Sequence, residues 1–164
     1  MTDKKVLIIM GSDSDLPVMK KAADALDRFK VSYEMRISSA HRSPQKTVDL
    51  TINAREKGFG VIITGAGLAA HLGGVVAAHT TLPVIGVPLA SGTLGGTDAM
   101  LATLQMPPGI PIATVGIGAA YNAALVAVEI LAVHDQNLAD QLSKYREELA
   151  KKVEEKDAAL NRQK

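Results

Sequence analysis

Ser39, His41 and Arg42 stand close together in the stretch Ser38-Ser39-Ala40-His41-Arg42-Ser43-Pro44. An imidazole exchanges a proton near neutral pH and is the usual acid/base side chain. A guanidinium presents a planar fork of donors that fits a phosphate. A second set, Ser12, Ser14 and Asp15, lies in Gly11-Ser12-Asp13-Ser14-Asp15. Two hydroxyls and free N–H groups at a helix start suit an anion, and Asp15 suits a pair of sugar hydroxyls as acceptor. A third stretch, Gly65-Ala66-Gly67-Leu68-Ala69-Ala70-His71-Leu72-Gly73-Gly74, is mostly bare backbone around one histidine. Small residues let a ligand approach the main chain closely. Together the three describe a mononucleotide site with one acid/base group. Each alone also reads more plainly: a capped turn with surface charges, a Ser or Asp N-cap, and in His71 a helix-start histidine bonded to backbone. The recurrence of three such stretches favours a site.

These residues need a scaffold that brings three loops together. Val6-Leu7-Ile8-Ile9-Met10 is an unbroken apolar run, as in a strand buried on both faces of a parallel sheet. Leu16 to Phe29 repeats apolar residues at helical spacing, with Pro17 in its first turn. Val31 to Ile37 alternates more and reads as a strand nearer an edge. Pro44 to Lys57 reads as a helix with Ser43 at its N-cap and Gly58 as its C-cap. Val61 to Thr64 is a third strand, followed by a helix through about His79. Val84 to Pro88 is a fourth strand, Thr97 to Leu104 a short helix and Ile112 to Val115 a fifth strand. Ala119 to Val133 is a helix apolar enough to be buried all round. From Asn137 the chain turns charged and helical, with a stripe of Leu138, Leu142, Tyr145, Leu149 and Val153. That stripe packs either on its own domain or on another subunit. Strands alternating with helices argue an αβα sandwich with a parallel sheet. Right-handed crossovers then put the first three loops along one sheet edge.

Composition narrows the function. With 164 residues, 47% apolar and 21% charged, the chain reads as one globular domain over 1–164. A net charge of +1 and only 3% aromatics give no field or stacking surface for nucleic acid. Cys is absent, which removes thiolate metal sites and thiol nucleophiles. The first residues, Met1-Thr2-Asp3-Lys4-Lys5, lead straight into the first strand, and its apolar run is too short for a signal peptide or a membrane span. The expectation is a cytoplasmic protein that binds neither membrane nor nucleic acid. His41, His71, His79 and His134 form no His-Glu-x-x-His pattern, so no metal is expected. Gly65-x-Gly67-x-x-Ala70 is an incomplete dinucleotide fingerprint: it follows the third strand, and no acidic residue ends the next one. A P-loop pattern is absent.

Gly11-Ser12-x-Ser14-Asp15, Ser39-Ala40-His41-Arg42-x-Pro44, Ala69-Ala70-His71-Leu72 and Gln105-Met106-Pro107 together resemble the N5-carboxyaminoimidazole ribonucleotide mutase family, also called the catalytic subunit of phosphoribosylaminoimidazole carboxylase. The resemblance runs from about Val6 to Val133. It implies a flavodoxin-like three-layer αβα sandwich with a parallel sheet; the extra C-terminal helix over about 137–162, read from its own apolar stripe, is expected at a subunit interface. The resemblance implies an isomerase of purine biosynthesis that moves a carboxyl group from an exocyclic nitrogen to ring carbon C4 of a small ribonucleotide. On this resemblance His41 is the proton-transfer group and His71 a second catalytic candidate. Ser12, Ser14, Asp15, Ser39, Ala40, Arg42, Gly67, Ala69, Ala70 and Leu72 would bind substrate. No cofactor is implied, and the assembly would be a homo-oligomer, an octamer with shared sites. Direct carboxylation of aminoimidazole ribonucleotide by carbon dioxide is the alternative; Ala70-His71-Leu72 favours the mutase. Two departures stand out: Leu68 where the family has a glycine, and Gly73 where it has a proline.

Overall fold

The computed structural model describes residues 4–162; Met1 to Asp3 of the expected lead-in lie outside them. Five strands form one parallel sheet: β1 (Lys5–Met10), β2 (Tyr33–Ile37), β3 (Phe59–Gly67), β4 (Val84–Leu89) and β5 (Ala113–Thr114). Their order is β2-β1-β3-β4-β5, the flavodoxin-like order. Six helices connect and cover them: α1 (Leu16–Arg28), α2 (Pro44–Ile52), α3 (Leu72–Ala78), α4 (Thr97–Leu104), α5 (Ala120–Ala132) and α6 (Gln136–Asn161). A single turn of 3-10 helix, Asp13–Asp15, leads into α1.

The apolar run of β1 is explained by the two faces it serves. Val6, Ile8 and Met10 enter one core with Met19, Leu26, Ala123, Ala127 and Val128 of α1 and α5. Leu7 and Ile9 point the other way, to Leu72 and Val76 of α3. Side chains alternate across a strand, so only a strand sandwiched between helices buries every position. β2 lies at the edge and is only part-buried, as its alternation foretells.

Three element boundaries and one burial pattern that bear on the site differ from the sequence expectation. The helix from Pro44 stops at Ile52, not Lys57, because the Asn53 side-chain amide donates to the Asp49 carbonyl at 2.8 Å and competes with the backbone for it. Residues 53–58 become turns, and Gly58 ends them with a φ of 84°. β3 continues through Gly65, Ala66 and Gly67, which pair with Val87, Pro88 and Leu89 of β4. Those glycines therefore belong to a strand rather than a loop. β5 shrinks to two residues between Pro111 and Gly116; proline cannot donate to a ladder, and a short edge strand resists stray pairing. Finally, α5 buries only one face in this chain: Ala120, Ala123, Ala124, Ala127, Val128 and Leu131 are buried, but Val133 beyond its end is 73% exposed.

α6 is divided along its length. Asp135 caps it by accepting from the Leu138 amide at 3.2 Å. Leu138 and Leu142 enter the core, and the Tyr145 ring meets Phe29 edge-on at 5.6 Å with the Arg28 guanidinium over its face. Beyond that, Leu149 and Val153 of the same stripe are exposed.

Candidate active site

Strand order reverses between β1 and β3, and the loops leaving the carboxyl ends of such strands open a crevice. Here a cavity of about 450 Å³ lies in it. It is lined by Ser12, Ser14 and Asp15 from the loop after β1, by Ser39, Ala40, His41 and Arg42 from the loop after β2, and by Gly67, Leu68, Ala69 and Leu72 from the end of β3 and the start of α3. Two of the residues named from sequence do not line it. Ala70 is buried beneath the loop, and His71 stands at its rim. Ser91, from the loop after β4, lines the cavity and no motif points to it. Only the passage of the chain from the end of β4 into a Gly-rich turn could have marked it.

Local chemistry shapes each loop. The Ser12 amide donates to Asp15 Oδ2 at 3.0 Å, and the Ser14 amide and Ser12 hydroxyl both donate to Asp13 Oδ1. Two N–H groups expected to be free for an anion are thus taken by the loop's own carboxylates. Short acidic side chains favour such local bonds. The Ser12 hydroxyl, then the Ser14 amide, hold the Asp13 carboxyl below its ordinary range. Burial pushes Asp15 the other way, above the ordinary carboxylate range, against the amides of Ser12 and Gly11 and the Arg42 charge, which pull it down.

Ser43 does not cap α2 with its side chain. Its hydroxyl accepts from the Ser39 amide at 3.0 Å and donates to the Ser39 carbonyl at 3.1 Å, closing the loop after β2 on itself. Buried Ser38 anchors the same loop to α2 through a 2.8 Å hydroxyl pair with Thr47. The Arg42 guanidinium donates to the Gly11 carbonyl at 3.1 Å and so bridges the first two loops. A guanidinium carries five N–H donors, so most remain for a ligand.

His41 and His71 meet directly. His41 Nε2 lies 3.0 Å from His71 Nδ1, with the rings edge-to-face at 83°. His71 is thus bonded to a second imidazole, not to backbone as the plainer reading of it has it. One of the two nitrogens must carry the hydrogen and the other accept it, so the pair shares a proton. Both rings are exposed, open to whatever fills the cavity.

The third wall is built from close approach. Leu68 takes a φ of 55°, in the left-handed region where a side chain is disfavoured, and is 54% exposed. A methyl added at Gly92, itself at φ 66°, would come within 2.7 Å of Leu68 Cδ2. Gly73 is equally confined: a methyl there would meet Thr64 Oγ1 and Ile112 Cδ1 at 3.0 Å. The space that a side chain would need at that position is filled by Thr64 of β3 and by Ile112, just before β5.

A family model described as AIR carboxylase matches residues 5–152. An N5-carboxyaminoimidazole ribonucleotide mutase of Pyrococcus abyssi is 57% identical over 145 residues, 88% of this chain and 83% of the relative. The enzyme of the same description from Pyrococcus horikoshii is 53% identical over 153 residues, covering 93% and 86%. The crystal structure of Treponema denticola PurE superposes with a TM-score of 0.87 at 34% identity, covering 96% of this chain and 98% of that one.

Proposed function

The chain belongs to the AIR carboxylase family, and from that premise we propose that it is an isomerase of purine biosynthesis, converting N5-carboxyaminoimidazole ribonucleotide to 4-carboxy-5-aminoimidazole ribonucleotide. The observation that carries this reading is the His41–His71 pair, 3.0 Å apart beside one cavity that is polar at one end and bare at the other. Arg42, Ser12, Ser14 and Ser39 hold the phosphate, Asp15 accepts from the ribose hydroxyls, and Ala40, Gly67, Ala69, Ala70 and Leu72 shape the room for the imidazole.

The reaction runs in two balanced steps. The exocyclic nitrogen takes a proton from the histidine pair as its bond to the carboxyl carbon breaks. Carbon dioxide leaves, and the electron pair of that bond stays on nitrogen as the amine. The amino-imidazole is electron-rich at C4, so C4 attacks the trapped carbon dioxide and a carbon–carbon bond forms. The C4 proton then returns to the histidine pair and the ring regains its aromaticity. His41 is the group that gives and takes this proton; His71 shares it through the ring contact. No cofactor enters the scheme. Confinement converts recapture into a neighbouring-group event, an effect worth up to about 7–11 kcal/mol where geometry is good.

The working unit is one catalytic domain, residues 1–164, assembled as a homo-oligomer, an octamer with shared sites, with α6 at a subunit interface. What supports assembly is apolar surface that this chain leaves uncovered. Leu94, Leu101 and Leu104 in and just before α4, Ile117 after β5, Val133 beyond α5 and Val153 on α6 are all exposed. Apolar surface gathered in this way marks interfaces. Among the described residues no helix is long and apolar enough to cross a membrane; the biosynthetic role supports work in the cytoplasm.

The test is an absorbance assay on the purified protein. Conversion of N5-carboxyaminoimidazole ribonucleotide without ATP or added bicarbonate is expected. Turnover only from aminoimidazole ribonucleotide with bicarbonate would make the chain a direct carboxylase instead.

A further inference from the structure

Ser91 lies at the bare end of the cavity, in the loop after β4. It is the hydroxyl that the β3–β4 side contributes there; its neighbours Gly67, Leu68, Ala69 and Leu72 are apolar. Among the described residues its hydroxyl makes no hydrogen bond, although the side chain is only part-exposed. Its place is not accidental. A methyl added at Gly67 would collide with Ser91 Oγ and Cβ, so the bare backbone of Gly67 is what lets Ser91 reach the cavity floor. Leu68 and Gly92, the next residues along, interlock in the opposite sense, which fixes the two loops against each other.

The sheet provides a ruler. Adjacent strands stand about 4.8 Å apart, and β1, β3 and β4 are neighbours in that order. The loop bearing Ser91 is therefore roughly 10 Å from the loop bearing Ser12. Arg42 is tied to Gly11 at the β1–β2 end. A ribonucleotide with its phosphate at that end extends its base toward β3 and β4, bringing the migrating carboxyl group to Ser91.

Resting on the mutase reading above, we propose that the Ser91 hydroxyl is a substrate-contacting group. It donates a hydrogen bond to an oxygen of the migrating carboxyl group and holds the freed carbon dioxide over the ring. An unpaired hydroxyl beside an apolar pocket suits a ligand that has oxygens to receive a donor and otherwise little polarity.

The experiment compares the parent with Ser91→Ala. It reads kcat, KM and the share of turnovers that release aminoimidazole ribonucleotide instead of the carboxylated product. A hydrogen bond to a charged group, once lost, costs roughly tenfold to a hundredfold. That fall is expected in kcat, with more of the intermediate leaking and KM nearly unchanged, because the phosphate end is untouched. Ser91→Cys keeps the shape with a far weaker donor and should show the same direction. Either variant equal to an active parent in rate and leakage overturns the role, as does a rise in KM with no added leakage. A parent that does not convert the substrate at all overturns the mutase reading itself, and this role with it.

Discussion

The two walls of the cavity work on different terms. The wall from the loops after β1 and β2 is a set of side chains: Ser12, Ser14, Asp15, Ser39, His41 and Arg42, cross-linked by local hydrogen bonds. The wall from the loops after β3 and β4 is defined by what is missing. There Gly67 and Gly92 leave room that Ser91 and Leu68 fill. On the proposed function, charge and donors on the first wall would bind ground state and transition state alike, and shape on the second would confine the freed carbon dioxide. Binding and commitment to product would then fall to opposite sides of one crevice, with the histidine pair spanning from the loop after β2 to the start of α3.

Substitutions on each wall should separate these terms. The largest effect is expected at His41. His41→Asn keeps some hydrogen bonding but cannot carry a proton, so kcat should fall by at least about 10²-fold while nucleotide binding survives. Stopped-flow rates beside equilibrium binding check this. Loss in His71→Asn with kcat retained in His41→Asn would move the proton to the other ring. Arg42→Ala comes next and should raise KM more than it lowers kcat, since uniform binding is what it removes. Steady-state kinetics in which KM stays unchanged would take Arg42 off the binding wall.

On the second wall, beside the fall in kcat expected at Ser91, the interlock of Gly92 with Leu68 should show in stability. Gly92→Ala forces a side chain into a left-handed backbone and against Leu68 Cδ2. Such a change should cost about 1–3 kcal/mol, read from denaturant unfolding. In the Leu68→Gly background the cost should shrink, because residues in contact couple non-additively. Equal costs in both backgrounds would show that the two loops are not interlocked.

The smallest effects concern Asp13 and Asp15, whose carboxyls are displaced in opposite directions. Asp15 is raised above its unfolded value near 3.8. Its protonated form is therefore favoured in the fold, and that stabilisation is lost as pH rises through the folded value. Asp15→Asn should leave Tm equal or slightly higher at pH 7, within about 0.5 kcal/mol, with the difference vanishing in acid. Asp13 is lowered, so its contribution is present above the unfolded value and lost as pH falls. Asp13→Asn should lower Tm at pH 7. Thermal melts across acid and neutral pH check both signs.

The same contrast governs how much could be read from the amino acids alone. The alternation of strands and helices, the layers and the polar wall were legible because they depend on residue type and period, whereas the flavodoxin-like order came only with the family resemblance. The β1 run, the Pro17 and Pro44 helix starts, and the Ser, His and Arg of the loops announce themselves. The bare wall was not legible. Gly65 and Gly67 read as loop but pair in β3, because register with β4 decides it. Ser91 carries no motif, and its placement depends on an absent side chain at Gly67. The early end of α2 came from one competing amide, Asn53. The exposed half of the α6 stripe shows that periodicity marks an apolar face but does not name what covers it.

The central claim is that one carboxyl group is released and recaptured within the cavity. The most direct measurement supplies N5-carboxyaminoimidazole ribonucleotide labelled in its carboxyl carbon, in a large excess of unlabelled bicarbonate. The account predicts that the label is retained at C4 of the product. Product carrying mainly unlabelled carboxyl would mean that carbon dioxide enters from solution, and would contradict it.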